Sequence, residues 1–280
     1  MSLPGKQKNS TPYWDHRRGR IFTRKGGIVF GEAVYCHGYD MMKDLVGQTS
    51  YFQVLILNAT GKLPERRLAD WLEALFICLS YPDARIWCNQ IGSLGGTLRT
   101  SPVAAVCGGI LASDSRMYGP GTITSGVDFI THALHQKKSG ISTKDIIARH
   151  PKRRDDDTPI IAGYARPIIN GDERIPAMEQ VASQLGFAYG EHLTVAYEID
   201  HVLHVDCGER INLIGYACAF LCDQGFSTAT IYSLLSCWVY SGVLACYAEA
   251  ADQVPESFFP LRCGDIDYQG QPPRSVPDEK

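Results

Sequence analysis

The strongest constraint on this chain is a helical period. In 66–80, "RRLADWLEALFICLS", the residues Leu68, Trp71, Leu72, Leu75, Phe76 and Leu79 recur at three- and four-residue steps. That spacing places them on one face of an α-helix. Further segments carry helix punctuation as well. "IPAMEQVASQLGF" has Pro176 in a first turn and Gly186 as a stop, and "INLIGYACAFLCDQG" stops at Gly225. "STKDIIARH" predicts a short capped helix, and "STATIYSLLSCWVYSGVLACYAEAADQ" predicts one long helix behind a Ser/Thr cap. A strand signal occurs in "RIFTRKGGIVFGEAV", where β-branched residues flank Gly26-Gly27 and predict one small hairpin around a Gly-Gly turn. Strands and helices do not alternate, which argues against a parallel sheet. The expectation is a nearly all-α protein.

A chain of 280 residues holds one large domain or two smaller ones. The net charge of −3 lacks the basic excess of a nucleic-acid surface. Residues 229–247 are apolar enough to raise the question of a membrane span. Their Ser, Tyr, Cys and Gly content, without flanking basic residues, predicts a buried helix and no membrane. The N-terminus is polar through Arg20, is expected to be loosely ordered, and shows no signal peptide. The ten cysteines form no CxxC pair and sit mostly in apolar runs, which fits buried reduced thiols of a cytoplasmic protein better than a metal site. The Pro- and Gly-rich tail carries Phe258, Phe259 and Tyr268, aromatic surface expected to pack on something, another subunit included.

Two short stretches read in two ways. "MYGPGTITSG" at 117–126 is a Gly-Pro-Gly turn leading into a helix. Thr122 or Thr124 caps that helix, or the exposed amides there receive an anion. "HPKRRDDD" at 150–157 is a solvated charge run, or its Lys152, Arg153 and Arg154 form a phosphate contact.

Taken in order, these and other stretches resemble the citrate synthase family. Residues 26–64 are similar to that family's N-terminal signature through Tyr35, His37, Gly38, Tyr39, Asp40, Gly61, Leu63 and Pro64, with His37 where the family usually has Arg. "MYGPGTITSG" resembles its Gly-Pro-x-His-Gly segment. "GYARPIINGDER" at 163–174 resembles Gly-Tyr/Phe-Gly-His followed by Asp-Pro-Arg. "INLIGYACAFLCDQG" resembles Pro-Asn-Val-Asp with its helix, and "PLRCGDIDYQGQPPR" resembles the family's C-terminal end. The resemblance implies an all-α homodimer with a large helical domain, a small helical lid domain and a short N-terminal β-hairpin. Placed here, the large domain falls on 20–121 and 220–280, the small domain on 122–219, and a flexible arm on 1–19. The length is closer to the compact citryl-CoA lyase relatives than to typical citrate synthases.

The chemistry implied by the resemblance is formation or cleavage of a C–C bond beside a coenzyme A thioester. A thioester co-substrate, a di- or tricarboxylate and no permanently bound cofactor go with it. Such chemistry needs a base for the α-proton, a donor for the enolate oxygen and an acid for the acceptor carbonyl. The family's two histidines fall on Thr122 and Arg166, and its aspartate base falls on Ile214. Thr122 retains a hydroxyl donor and Arg166 a fixed positive charge, while Ile214 has no acid or base function. Asp172 lies near the implied site and is the acid to test first. Among substrate-binding positions, the family's dicarboxylate-binding His maps near Arg85 or Ile86, Asn89 matches a family Asn, and a C-terminal-helix Arg falls on Val239 or Tyr240. Arg174 keeps the Arg of Asp-Pro-Arg, Asn212 keeps the Asn of Asn-Val-Asp, and Arg262 stands for an Arg contributed by the partner subunit. Gly163, with Lys152, Arg153 and Arg154, is the expected coenzyme A contact. Other base candidates are His37, His132, His135, His150, His192, His201 and His204, and for His201 and His204 the reading is a polar loop edge. Two functions follow: an enzyme with a rewired site, or an inactive homologue that binds coenzyme A or a dicarboxylate, or pairs with an active relative.

Overall fold

The computed structural model describes residues 11–19, 21–116, 118–165, 171–255 and 263–276. Met117, Arg166, Phe258, Phe259 and Arg262 lie outside the described residues. The helices are α1 (Pro12–Arg17), α2 (Tyr51–Thr60), α3 (Arg66–Leu79), α4 (Trp87–Thr97), α5 (Pro102–Ser113) and α6 (Gly121–Lys138). They continue as α7 (Thr143–Ala148), α8 (Arg174–Gln184), α9 (Glu191–Cys207), α10 (Leu213–Asp223), α11 (Thr228–Leu235) and α12 (Tyr240–Asp252). A three-stranded antiparallel sheet, β1 (Gly26–Val29), β2 (Ala33–Cys36) and β3 (Tyr39–Asp40), precedes them except for α1. The all-α expectation therefore holds, and local signals explain many ends. Ser50 and Gln53 form a reciprocal capping box on α2, and Gly61 closes that helix at φ +78°. Ser142 caps α7, and Gly208 closes α9 at φ +74°.

Two local expectations are corrected. The hairpin turns at residues 30–32, where Gly31 takes φ +78°, and Gly26-Gly27 lies inside β1. The reason is close strand approach, since a Cβ on Gly26 would sit 2.9 Å from the Tyr35 carbonyl oxygen. The long apolar helix is two helices, although by length and composition alone Thr228–Asp252 suffices to cross a membrane. A turn at 236–239 divides it, the Ser80 hydroxyl donates to the Trp238 carbonyl at 2.6 Å, and Trp238 and Val239 are buried. In the N-terminal arm, Pro12–Arg17 is helical, with the Thr11 hydroxyl donating to Asp15 at 2.6 Å.

Two compact units organise the chain: Met1–Leu75 with Gly126–Leu234, and Phe76–Ser125 with Leu235–Lys280. Aromatic packing holds the first unit. Trp71 of α3 stacks on Phe220 of α10 with ring centroids 3.8 Å apart and planes at 11°, and Phe187 meets Phe220 edge-on at 5.1 Å. Trp71, Leu72, Leu75, Ile199, Leu213 and Tyr216 are all buried. In the second unit, α4 packs on both α5 and α12. Glycines allow backbone-to-backbone approach there: a Cβ on Gly92 would stand 2.4 Å from the Val243 carbonyl oxygen, and one on Gly96 would stand 2.4 Å from that of Tyr247.

Candidate active site

In the first unit, sequence-expected residues converge where α10 begins. The first turn of a helix leaves backbone N–H groups without intrahelical partners. Here each one from 211 to 215 has an acceptor. Ile211 N–H donates to Asp200 at 2.6 Å, Asn212 N–H to the Gly163 carbonyl at 2.9 Å, and Leu213 N–H to Asp172 at 2.8 Å. Ile214 and Gly215 donate to the Asn212 side chain at 3.0 and 3.1 Å. The helix start is thus saturated by protein groups.

Asp172 is the centre of this arrangement. Its side chain is 0% exposed, and Arg174 clasps it through Nε at 2.7 Å and Nη2 at 2.6 Å. Burial pushes the carboxyl pKa up. The hydrogen bonds and charge of Arg174 and the Leu213 N–H outweigh burial and hold it below the ordinary carboxylate value. Asp172 is therefore held ionised and anchors Arg174 and the Leu213 N–H. The Asn212 Oδ1 caps α10 and its Nδ2 donates to the Ala165 carbonyl at 2.9 Å.

Gly163 sits at φ +90°, and a Cβ there would lie 2.7 Å from the Gly215 Cα. Its observed contribution is this backbone crossing and the carbonyl that accepts from Asn212. Tyr164, 4% exposed, forms an antiparallel bridge with Ile211 and donates its hydroxyl to the Ala196 carbonyl at 2.9 Å. Ala165 has φ +141°, a left-handed-side value that is rare for a residue with a Cβ and marks local strain just before the Arg166 position.

The basic run 152–154 forms a small two-rung loop. Lys152 bridges Pro159, Arg153 N–H donates to the Thr158 carbonyl at 2.8 Å, and Asp157 turns at φ +57°. Arg153 also pairs with Glu209 at 2.7 Å, tying the loop to the segment that leads into α10. Lys152 and Arg154 are exposed, with no ion pair among the described residues.

Thr122, Arg85 and Asn89 belong to the second unit. Thr122 lies in the first turn of α6, not at its cap, and its hydroxyl donates to the Gly119 carbonyl at 2.8 Å. The preceding turn is tight: Gly119 has φ +73° and a Cβ there would stand 2.0 Å from the Ser113 carbonyl oxygen. Gly119→Ala is expected to destabilise the protein by about 3 kcal/mol, the sum of a left-handed backbone penalty and overpacking, read as a lower urea midpoint at unchanged slope. Arg85 is exposed and forked onto Asp83 through Nε at 3.0 Å and Nη2 at 2.6 Å, a local surface pair. Asn89 is 2% exposed and donates to the carbonyls of Tyr81 at 3.3 Å and Asp83 at 2.9 Å. Its amide holds that turn.

The histidines fall on several elements. His201 and His204 lie on α9 rather than in a loop, because the helical pattern of 191–207 runs unbroken through them. His192 Nδ1 is 2.9 Å from Asp223, His132 Nδ1 donates to the Asp128 carbonyl at 2.8 Å, and half-buried His150 meets Phe129 edge-on at 4.9 Å. Burial lowers the His150 pKa below the ordinary imidazole value. Asp200 and its N–H partner were missed by the sequence reading. The available signal was an acidic residue on the buried side of α9's period.

This architecture is the citrate synthase-like fold. Its similarity to citryl-CoA lyase from Hydrogenobacter thermophilus has a TM-score of 0.75 at 24% identity, covering 92% of this chain and 97% of that one. ATP citrate lyase from Methanothrix soehngenii, solved with citrate and coenzyme A, gives a TM-score of 0.73 at 15% identity over 97% of this chain, which spans 45% of that protein. Citrate synthase from Thermoplasma acidophilum gives a TM-score of 0.60 at 12% identity, over 82% of this chain and 59% of that one. No family model and no curated protein matches the sequence. The likeness establishes the fold, and the chemistry has to be argued from the residues.

Proposed function

We propose that this protein binds a coenzyme A thioester and a di- or tricarboxylate, and forms or cleaves the C–C bond beside the thioester with a rewired active site. The observation that carries the reading is Arg174, fixed by a buried, ionised Asp172 at the start of α10. Asp172 fixes the position and plane of a guanidinium that stays charged, and fixed guanidinium groups suit the recognition of carboxylates. Lys152 and Arg154 on the loop tied to α10 supply positive charge suited to the phosphates of the thioester. The test is an assay of the pure protein with acetyl-CoA and oxaloacetate, and separately with citryl-CoA. Thiol release or cleavage above background, with Arg174→Ala lowering kcat/KM by about 100-fold, supports the reading.

A second reading has specific support: a catalytically silent homologue. Ile214 stands where the family base falls, the Thr122 hydroxyl is donated to Gly119, and Asp172 is fully clasped. This reading expects coenzyme A to bind without turnover. Lys152→Ala with Arg154→Ala would then weaken coenzyme A binding by about tenfold in calorimetry, strongly so at low salt. Turnover of any of the acids tested, lost in Arg174→Ala, would end it.

A homodimer accompanies either reading. Helices α4 and α5 carry no Asp, Glu, Lys or Arg. Val103 and Leu111 on α5 are 71% and 78% exposed, and Trp87 on α4 is 57% exposed. An uncharged apolar face suits contact with its own copy, where any charge would meet its like. Leu111→Glu is expected to shift the protein to a monomer in analytical ultracentrifugation. A wild-type protein that sediments as a monomer at tens of micromolar would refute this.

A further inference from the structure

Away from the α10 start, α7, α8 and α9 of the first unit enclose an open groove of about 650 Å³, a volume within the range of small-molecule sites. Its walls include Thr143, Glu179, Tyr189, Tyr197, Glu198 and His201. Tyr189 and Tyr197 stack with centroids 5.5 Å apart and planes at 21°. Tyr189 is 57% exposed, so its outer face is open.

The charges of this groove are unequal in their pairing. Glu198 is neutralised by Lys137 at 2.7 Å, and Glu191 nearby by Lys138 at 2.7 Å. Glu179 has no cationic partner among the described residues. Tyr189 donates to its Oε1 at 2.8 Å, and Tyr197 donates to the same oxygen. A phenol that donates to a carboxylate keeps a more electron-rich ring, which strengthens attraction for a cation over its face. One negative charge without a cationic partner among the described residues therefore sits at the hydroxyl edge of two stacked, polarised rings.

We propose that this groove binds a small alkylammonium ion, seated on the open face of Tyr189 and donating to Glu179 Oε2. Both phenols occupy Oε1, so a forked guanidinium would find only one of the two acceptors it needs. An ammonium, which needs a single acceptor and a ring face, fits.

The test is NMR of the full chain with labelled tyrosines, titrated with n-butylammonium chloride at constant ionic strength. Saturable shifts of the Tyr189 and Tyr197 resonances are expected, with guanidinium weaker and sodium butyrate without effect. Glu179→Gln should weaken binding by about tenfold. Tyr189→Leu, a change on an exposed ring, should do the same and guards against any disturbance of α8 by the first variant. Shifts that stay linear in ligand concentration, equal saturation by butyrate, or unchanged affinity in folded variants would overturn the proposal.

Discussion

Asp172→Ala is expected to lower the free energy of unfolding by about 3–5 kcal/mol, because it removes one half of a buried ion pair and leaves the Arg174 charge beside the α10 start without its partner. The same change strips the acceptor from the Leu213 N–H, which lies in a buried segment. Urea unfolding of the wild type and variant at neutral pH measures it, and a loss under about 1 kcal/mol would show that the clasp is replaceable by water. The pH dependence has a defined sign. Asp172 and Asp223 both have folded carboxyl pKa values held below the ordinary one, against burial, by hydrogen bonds from Arg174 and from His192 respectively. Their stabilisation is complete above the unfolded carboxylate pKa, about 4, and is lost as pH falls from there through the folded values. Wild-type stability should therefore drop below about pH 4, and Asp172→Ala should flatten part of that drop.

Trp71→Ala is expected to cost about 3–5 kcal/mol, through lost burial and the cavity left behind. Trp71 is 0% exposed, stacked on Phe220, and tilted toward Tyr216 at 6.3 Å. Its indole N–H and the Tyr216 hydroxyl are both buried and make no well-formed hydrogen bond among the described residues, which reduces the net loss. Trp71→Phe should recover about half of the loss, since it restores a ring to the stack. A loss near zero in Trp71→Ala would mean that α3 and α10 are held by something other than this stack.

Much of the helical framework was legible before any coordinates. The Leu68–Leu79 period, Pro176 and Gly186 around α8, Ser142 before α7 and Gly225 after α10 are local signals, and local backbone sterics enforce them. The turn in the β-hairpin was not legible. Gly-Gly looks like a turn in isolation, while its use inside β1 depends on the carbonyl of Tyr35 across the ladder. The division of 228–252 into two helices was equally hidden, since the carbonyl of Trp238 finds its donor in Ser80, far away in sequence.

At the candidate site the contrast is sharper. The sequence by itself determined which chemical groups are present: Thr122, Asp172, Arg174 and Asn212, with a hydrocarbon at Ile214. Residue identity alone sets what can titrate or donate. Their partners were set by the tertiary structure. Hydrogen-bonding capacity is finite: the Leu213 N–H and Arg174 reach Asp172, Asn212 reaches the Ala165 carbonyl, and in the second unit Thr122 reaches that of Gly119. Asp172 and Asn212 consequently hold the α10 start. That same anchor fixes Arg174, a placement that only the chain's path between residues 172 and 213 sets.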